Sequence, residues 1–332
     1  MQRILPLIIV GLLSGIGICG CGDNSSGSGE SGNADTDTDS DTDSDTDTDS
    51  DTDTDSDTDT DTDADTDADT DSETDTGTGT DTDTNSETEW VDPNVRDGWT
   101  LVENVDLADS TGWTLEAWTA SNTASQDLPD NVSFGPDGLR IVGRREVTPN
   151  GSPYSSGDAL GRGHPIPNHC RVEVVGRGPA EPGMWPCVLW LRPLVGSDGE
   201  IDFMENFGDQ PRVAATLHNE YGATHKMIHG NLPWSALQNP DPAALHLYVM
   251  EKTPGRIVIT CDNVTMLDAT PADAPDGFDW DRIMENPAQL WYPRVTLQIG
   301  CGKDNPTCGT GTPEETWSTS DMLVTELRIY TR

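Results

Sequence analysis

Gly199-Glu200-Ile201-Asp202-Phe203-Met204-Glu205-Asn206-Phe207-Gly208 sets three carboxylates into a largely apolar run closed by glycine at both ends. Ile201 and Phe203 alternate with Glu200 and Asp202, the period of two that marks a strand with one face in a core and the other in a groove. A helix would turn Glu200 and Glu205 about 140° apart around its axis, so they could not converge. In a regular strand Met204, not Glu205, would share the face of Glu200 and Asp202. A β-bulge between Asp202 and Glu205 supplies the extra residue that returns Glu205 to that face, and bulges are over-represented beside active sites. Three acids on one face repel one another and raise each other's pKa values. A solvated charged face is the alternative; the apolar flanks argue for a cleft.

Two Glu facing one ligand are what retaining glycoside hydrolysis requires, with carboxyl groups about 5–5.5 Å apart. Four strand steps of about 3.3 Å separate the two backbones by on the order of 13 Å, so the side chains must lean together and a bend must help. Glu200 to Glu205 matches the Glu-x-Asp-x-x-Glu signature of the family 16 glycoside hydrolases, in the bulged form that resembles the laminarinase-like branch. Upstream, Gly183-Met184-Trp185-Pro186-Cys187-Val188-Leu189-Trp190 is similar to that family's Gly-x-Trp-Pro-Ala-x-x-Trp strand. By resemblance Glu200 is the nucleophile, Glu205 the general acid/base, and Asp202 the group between them that tunes both. The resemblance also implies an all-β jelly-roll sandwich, concanavalin A-like, with a substrate cleft across its concave sheet.

The residues support an all-β fold independently. Leu139–Val142, Arg171–Val175, Arg256–Ile259, Pro293–Ile299 and Met322–Tyr330 read as strands between turn-forming clusters, and no long amphipathic helical pattern occurs. They predict antiparallel strands in two packed sheets over residues 90–332. Counterparts of the family run through this span in order, at Asp130-Asn131-Val132, at His246 to Ile257 and at Leu327-Arg328-Ile329-Tyr330.

Sugar rings pack their C–H faces on Trp and satisfy their hydroxyls with polar groups. The expected substrate-binding residues are Trp185, Trp190, Asn206, His218 and Trp291. Trp185 and Trp190 are five apart, so without a bulge they face opposite sides; the resemblance places Trp185 in the cleft and implies a cleft histidine at His218. Trp113, Trp118, Trp234, Trp291 and Trp317 are expected in or beside loops, Trp291 and Trp317 being the better subsite candidates among them. Asn206 and Asn219 could bind hydroxyls or form turns. His225 and His229, four apart, lack a Glu partner and a third ligand at diagnostic spacing, so no metal site is expected.

Three positions depart from the family pattern. Asp158, after Tyr154-Ser155-Ser156-Gly157, stands where the family usually has Arg. Lys252 replaces a usual Trp. Thr325 stands where the family often has an Asp that ligates a structural calcium, so no cofactor is expected and that ion is in doubt. Of seven Cys, five follow the leader. Cys301 and Cys308 flank a loop short enough for a disulfide, and Cys170 and Cys187 could pair only on neighbouring strands.

Residues 1–21 carry one Arg, an apolar run from Ile4 to Leu13 and small residues before Cys21, as in a signal peptide. Ile18-Cys19-Gly20-Cys21 resembles a bacterial lipobox, which implies a lipid-anchored protein at Cys21 in the cell envelope, at the outer membrane or cell surface; simple secretion is the alternative. Residues 22–89 form an Asp/Thr-rich segment, with Asp at every odd position from 35 to 71, that cannot build a core and reads as a disordered linker. Up to residue 89 there are 27 acids against one Arg, so this part supplies −26 of the net −42 and the domain −16. The acidity therefore describes the linker and not the substrate.

The expected function is retaining endo-hydrolysis of a polysaccharide, β-1,3-glucan first, by a monomer with no nucleic-acid partner and with membrane contact only through the anchor. The alternatives are a galactan hydrolase or transglycosylase of the same family, and a carbohydrate-binding surface protein that has lost catalysis.

Overall fold

A computed structural model describes residues 95–96, 98–196, 199–219, 225–302 and 309–332; the leader, the acidic segment and Cys308 lie outside them. The chain forms β1 (Val95–Arg96), β2 (Trp99–Asn104), β3 (Thr114–Leu115), β4 (Ser125–Asp127), β5 (Val132–Gly135), β6 (Gly138–Arg144), β7 (Tyr154–Leu160), β8 (Ile166–Pro167) and β9 (Cys170–Arg177). It continues with β10 (Met184–Pro193), β11 (Glu200–Glu205), β12 (Arg212–His218), β13 (Met227–Pro233), β14 (His246–Thr253), β15 (Arg256–Cys261), β16 (Val264–Ala269), β17 (Leu290–Ile299) and β18 (Thr319–Thr331). Helical turns among the described residues are three to five residues long, and no helix there is long and apolar enough to cross a membrane.

The strands build a jelly-roll sandwich. One sheet runs β16, β15, β14, β9, β18, with β6 and β2 laid against successive parts of the long β18. The other runs β13, β12, β11, β10, β17, β7. The two are joined where β6 meets β7 at Arg144 and Ser155. All of these pairings are antiparallel; β4 alone among the described strands runs parallel to its partner, β7. Alternating side chains of both sheets meet in one core: Ile201 and Phe203 of β11, Val213 and Leu217 of β12, against Val172 of β9, Met250 of β14 and Ile329 of β18. At the edge, β13 passes so close to β16 that a Cβ on Gly230 would lie 2.0 Å from the Met266 carbonyl oxygen, a gap only glycine allows.

Register places the strand that carries the three acids. From Asp202 to Glu205 takes three residues on β11 but only two, Thr216 to Ala214, on β12, so β11 carries the expected bulge. β10 carries another beside it: Cys187 to Trp190 spans three residues against Thr296 to Arg294 on β17. At each bulge two consecutive apolar residues, Val188-Leu189 and Phe203-Met204, turn into the core.

Trp291, expected to bind substrate, does not reach the face that carries the acids. It joins the core, where its Nε1 donates to Asn168 Oδ1 (2.8 Å) and Lys252 Nζ lies 5.0 Å from its ring centre. Lys252 is wholly buried at the end of the apolar row Tyr248, Met250, and donates to Asn168 and to the Ile283 carbonyl (3.0 Å). Burial pushes the Lys252 ammonium down to about 7. The unfolded lysine holds its proton to about pH 10.4. Above pH 7 the unfolded chain therefore binds the extra proton and stability rises with pH. Beyond about pH 8.5 unfolded thiols ionise and oppose this, since burial pushes Cys170 up to about 12. The urea midpoint should rise between pH 7 and 8.5, and Lys252→Met should flatten that rise.

Candidate active site

The bulged β11 presents Glu200, Asp202 and Glu205 on the face opposite the core, and none of the three has exposed surface. β10 lies alongside, with Cys187 opposite Glu205 and Trp190 opposite Asp202. β12 sets His218 opposite Glu200 and Thr216 opposite Asp202. Because β10 is also bulged, Trp185, Cys187 and Trp190 share this face and cluster with Phe207. The tryptophans five apart are thus brought together.

Glu205 accepts two hydrogen bonds, from Trp185 Nε1 (3.2 Å) at Oε1 and from Thr216 Oγ1 (3.0 Å) at Oε2. Burial first, then the negative charge of Asp202, holds its carboxyl well above the usual range, and the two hydrogen bonds oppose that shift. Burial likewise raises Asp202, against the pull of Arg192. Arg192 Nη1 lies 3.2 Å from Glu200 Oε2 and supplies it with a charge partner. His218 Nε2 lies 3.0 Å from Asp202 Oδ2 and 3.9 Å from Glu200 Oε1, and burial lowers its pKa so that the ring is neutral. On the outer side His218 Nδ1 meets His225 Nε2 at 2.8 Å. His225 does not pair with His229, which stands exposed on β13 opposite Thr216.

Ligand atoms of Glu200, Asp202 and His218 all lie within 4.8 Å of one another, close enough to hold a cation. The Arg192 guanidinium already occupies the Glu200 carboxylate and opposes a second positive charge there. On the other sheet Thr325 Oγ1 donates to the Val175 carbonyl (3.3 Å), a neutral hydroxyl where calcium favours charged oxygens. Cys301 is disulfide-bonded, while Cys170, Cys187 and Cys261 are buried thiols. Cys170 and Cys187 lie in different sheets, which rules out the bridge considered between them.

Asn206 is buried and its side-chain amide has no partner; Asn219 Nδ2 donates to the Gly277 carbonyl (3.3 Å). Trp113 and Trp234 are core residues, and Trp317 packs edge-on against Tyr154. Arg192 and Thr216 escaped the sequence reading, although each lies two residues from a recognised site residue, Trp190 or His218, and the strand period points to both. Asp158 was noted only as a departure. It pairs with Arg294 of β17, whose guanidinium carbon sits 4.1 Å above the Trp190 ring centre. Thr296 Oγ1 bridges them, accepting from Trp190 Nε1 (2.9 Å) and donating to Asp158 Oδ1 (2.7 Å). The site wall is thus an indole backed by a buried ion pair.

No family model matches the chain. A β-glucanase of Rhodothermus marinus is 29% identical over 137 residues, 39% of this chain and 46% of that protein, so the match spans less than half of that relative. Among solved structures, a non-specific endo-β-1,3(4)-glucanase from family GH16 superposes with a TM-score of 0.57 at 21% identity, over 72% of this chain and 92% of that one. The laminarinase of Rhodothermus marinus gives 0.56 at 22% identity over 70% and 97%. The laminarinase catalytic domain of Thermotoga maritima gives 0.56 at 19% over 70% and 98%. The chain has the fold of these laminarinases and endo-β-glucanases, in keeping with the resemblance of its Glu200-to-Glu205 strand to the family 16 glycoside hydrolases.

Proposed function

We propose that the chain is a retaining endo-β-glucanase whose first substrate is β-1,3-linked glucan. The observation that carries this reading is the bulged β11, with three buried carboxyl groups on one face and a different environment around each Glu. Glu205, protonated because burial and Asp202 raise its pKa, gives its proton to the glycosidic oxygen as the bond to the anomeric carbon breaks. Glu200, facing Arg192, attacks that carbon and forms a glycosyl ester. Glu205, now ionised, takes a proton from water, whose oxygen displaces Glu200 and restores the β configuration. Trp185 and Thr216 hold the Glu205 carboxyl through both steps, and Trp185 and Trp190 offer flat faces for sugar rings. One copy of the chain carries the whole set, and carboxyl chemistry alone completes the cycle. The lipobox-like Cys21 and the acidic linker support a further proposal, that the domain acts as a monomer tethered to the cell envelope.

Reducing-end release across β-glucans and algal galactans tests substrate class, with β-1,3-glucan expected to be cleaved; no cleavage of any β-linked polymer sinks the proposal. Proton NMR of the first products should show the β anomer. Azide should rescue Glu200→Ala with an inverted glycosyl azide and Glu205→Ala, on an activated aryl glycoside, with a retained one. Thr216→Val removes a hydrogen bond that lowers the Glu205 pKa. Glu205 then stays protonated to higher pH, so the alkaline limb of kcat/KM should move upward. An unmoved or lowered limb would assign the acid to another group.

A further inference from the structure

We propose that Gln298 forms a hydroxyl-binding subsite for one sugar unit beside Glu205, with the Trp185 indole as its apolar neighbour. The proposal rests on the glucanase reading above and adds to it a residue that the mechanism does not use. Val295 and Leu297 of β17 enter the core, so the period of two sends Arg294, Thr296 and Gln298 to the opposite face. The contacts agree: the Arg294 guanidinium covers the Trp190 ring, and Thr296 Oγ1 accepts from Trp190 Nε1. Gln298 continues that row, in register with Trp185 of β10. Residues opposite one another on antiparallel strands hold their Cβ atoms about 4.5–5.5 Å apart, so the amide and the indole are neighbours. The indole in turn donates to Glu205 Oε1 (3.2 Å), which links amide, indole and acid in order across β17, β10 and β11.

Gln298 is 1% exposed, and neither its Nε2 nor its Oε1 has a hydrogen-bond partner. Its two predecessors on that face are paired, Arg294 with Asp158 and Thr296 with both Asp158 and Trp190. On the adjoining β7, Ser156 gives its hydroxyl hydrogen to the Leu297 carbonyl and leaves the amide unserved. Burying a donor and an acceptor without partners opposes folding, and an apolar side chain of similar volume would avoid that cost. The fold therefore does not account for an amide at this place, and a ligand does. A carboxamide ends in one carbonyl acceptor and two N–H donors, and each sugar hydroxyl both donates and accepts, so one amide can serve hydroxyls on the edge of a ring. The same ring sets its C–H face against the indole, the pairing of apolar wall and fixed polar group from which small-ligand sites are made. Arg294 is neutralised by Asp158, so the amide offers this row's open contacts without a net charge beside it, which suits an uncharged hexopyranose. The unit so held lies next to the bond that Glu205 protonates.

The test compares the full chain carrying Glu200→Gln, which prevents turnover, with the same chain carrying Gln298→Met as well. Met fills the volume of Gln without a strong donor or acceptor. Titration calorimetry with a β-1,3-linked glucose tetrasaccharide reads affinity, and urea unfolding without saccharide reads stability. The urea midpoint should hold or rise, because an unpaired polar group leaves the interior, while Kd should rise about tenfold, because the sugar hydroxyls lose their partner. A side chain with a merely structural role would give the opposite pair of results. A midpoint that falls shows an amide paired within the fold, and a Kd within about twofold of the parent shows an amide that holds water alone; either result overturns the subsite and leaves the glucanase reading standing. If the Glu200→Gln chain itself binds no tetrasaccharide, the glucan reading falls and takes the subsite with it.

Discussion

The paired bulges of β10 and β11 are the constraint on which the site depends. Each strand gains one residue over its outer neighbour between Cys187 and Trp190 and between Asp202 and Glu205, so the two stay in register with each other while slipping against β17 and β12. A bulge in β11 alone would break its ladder with β10. Together they turn Val188-Leu189 and Phe203-Met204 into the core and return Trp190 and Glu205 to the opposite face. The hydrophobic demand for two extra core side chains and the convergence of the acids are met by the same local distortion, in keeping with the way bulges re-aim side chains beside functional sites.

Burial of three carboxyl groups is costly unless protons or opposite charges compensate. Arg192 is a cation against Glu200, and His218 is neutral, so Glu205 is eased by protonation and by two donors fixed on neighbouring strands. That division gives chemically similar side chains different roles. Glu205 is held by two neutral donors and keeps a raised pKa, Glu200 faces a permanent cation, and Asp202 leans on an imidazole. The rigid sandwich beneath fixes these distances, because the three acids and their donors sit on hydrogen-bonded strands and not on loops.

The wall beside Trp190 is held by opposite charges buried together. Asp158 on β7 is buried and pairs with Arg294 on the adjacent β17. Desolvation and the charge of Asp158 raise the pKa of the nearby buried Asp127, so the guanidinium serves a second acid as well. Elsewhere in the core a buried Lys252 donates to Asn168 and to the Ile283 carbonyl and lies over the Trp291 ring.

The sequence by itself determined the all-β character, the strand over Glu200 to Glu205 and the need for its bulge, because these follow from a local period of two broken by one acid. Trp185 and His218 were legible in the same way, through motifs that extend along single strands. Which strands become neighbours is not local information. The second bulge, which unites Trp185 with Trp190, appears only when β10 is matched to β17, and Arg192 gains meaning only across the ladder from Glu200. Trp291 shows the same limit from the other side: it reads as lying in or beside a loop, and it stands on β17 and faces the core. Packing against Asn168 and Lys252, residues 123 and 39 positions away in the chain, decided it. A strand's period fixes which residues share a face, and only the sheet packed against it fixes which face is buried.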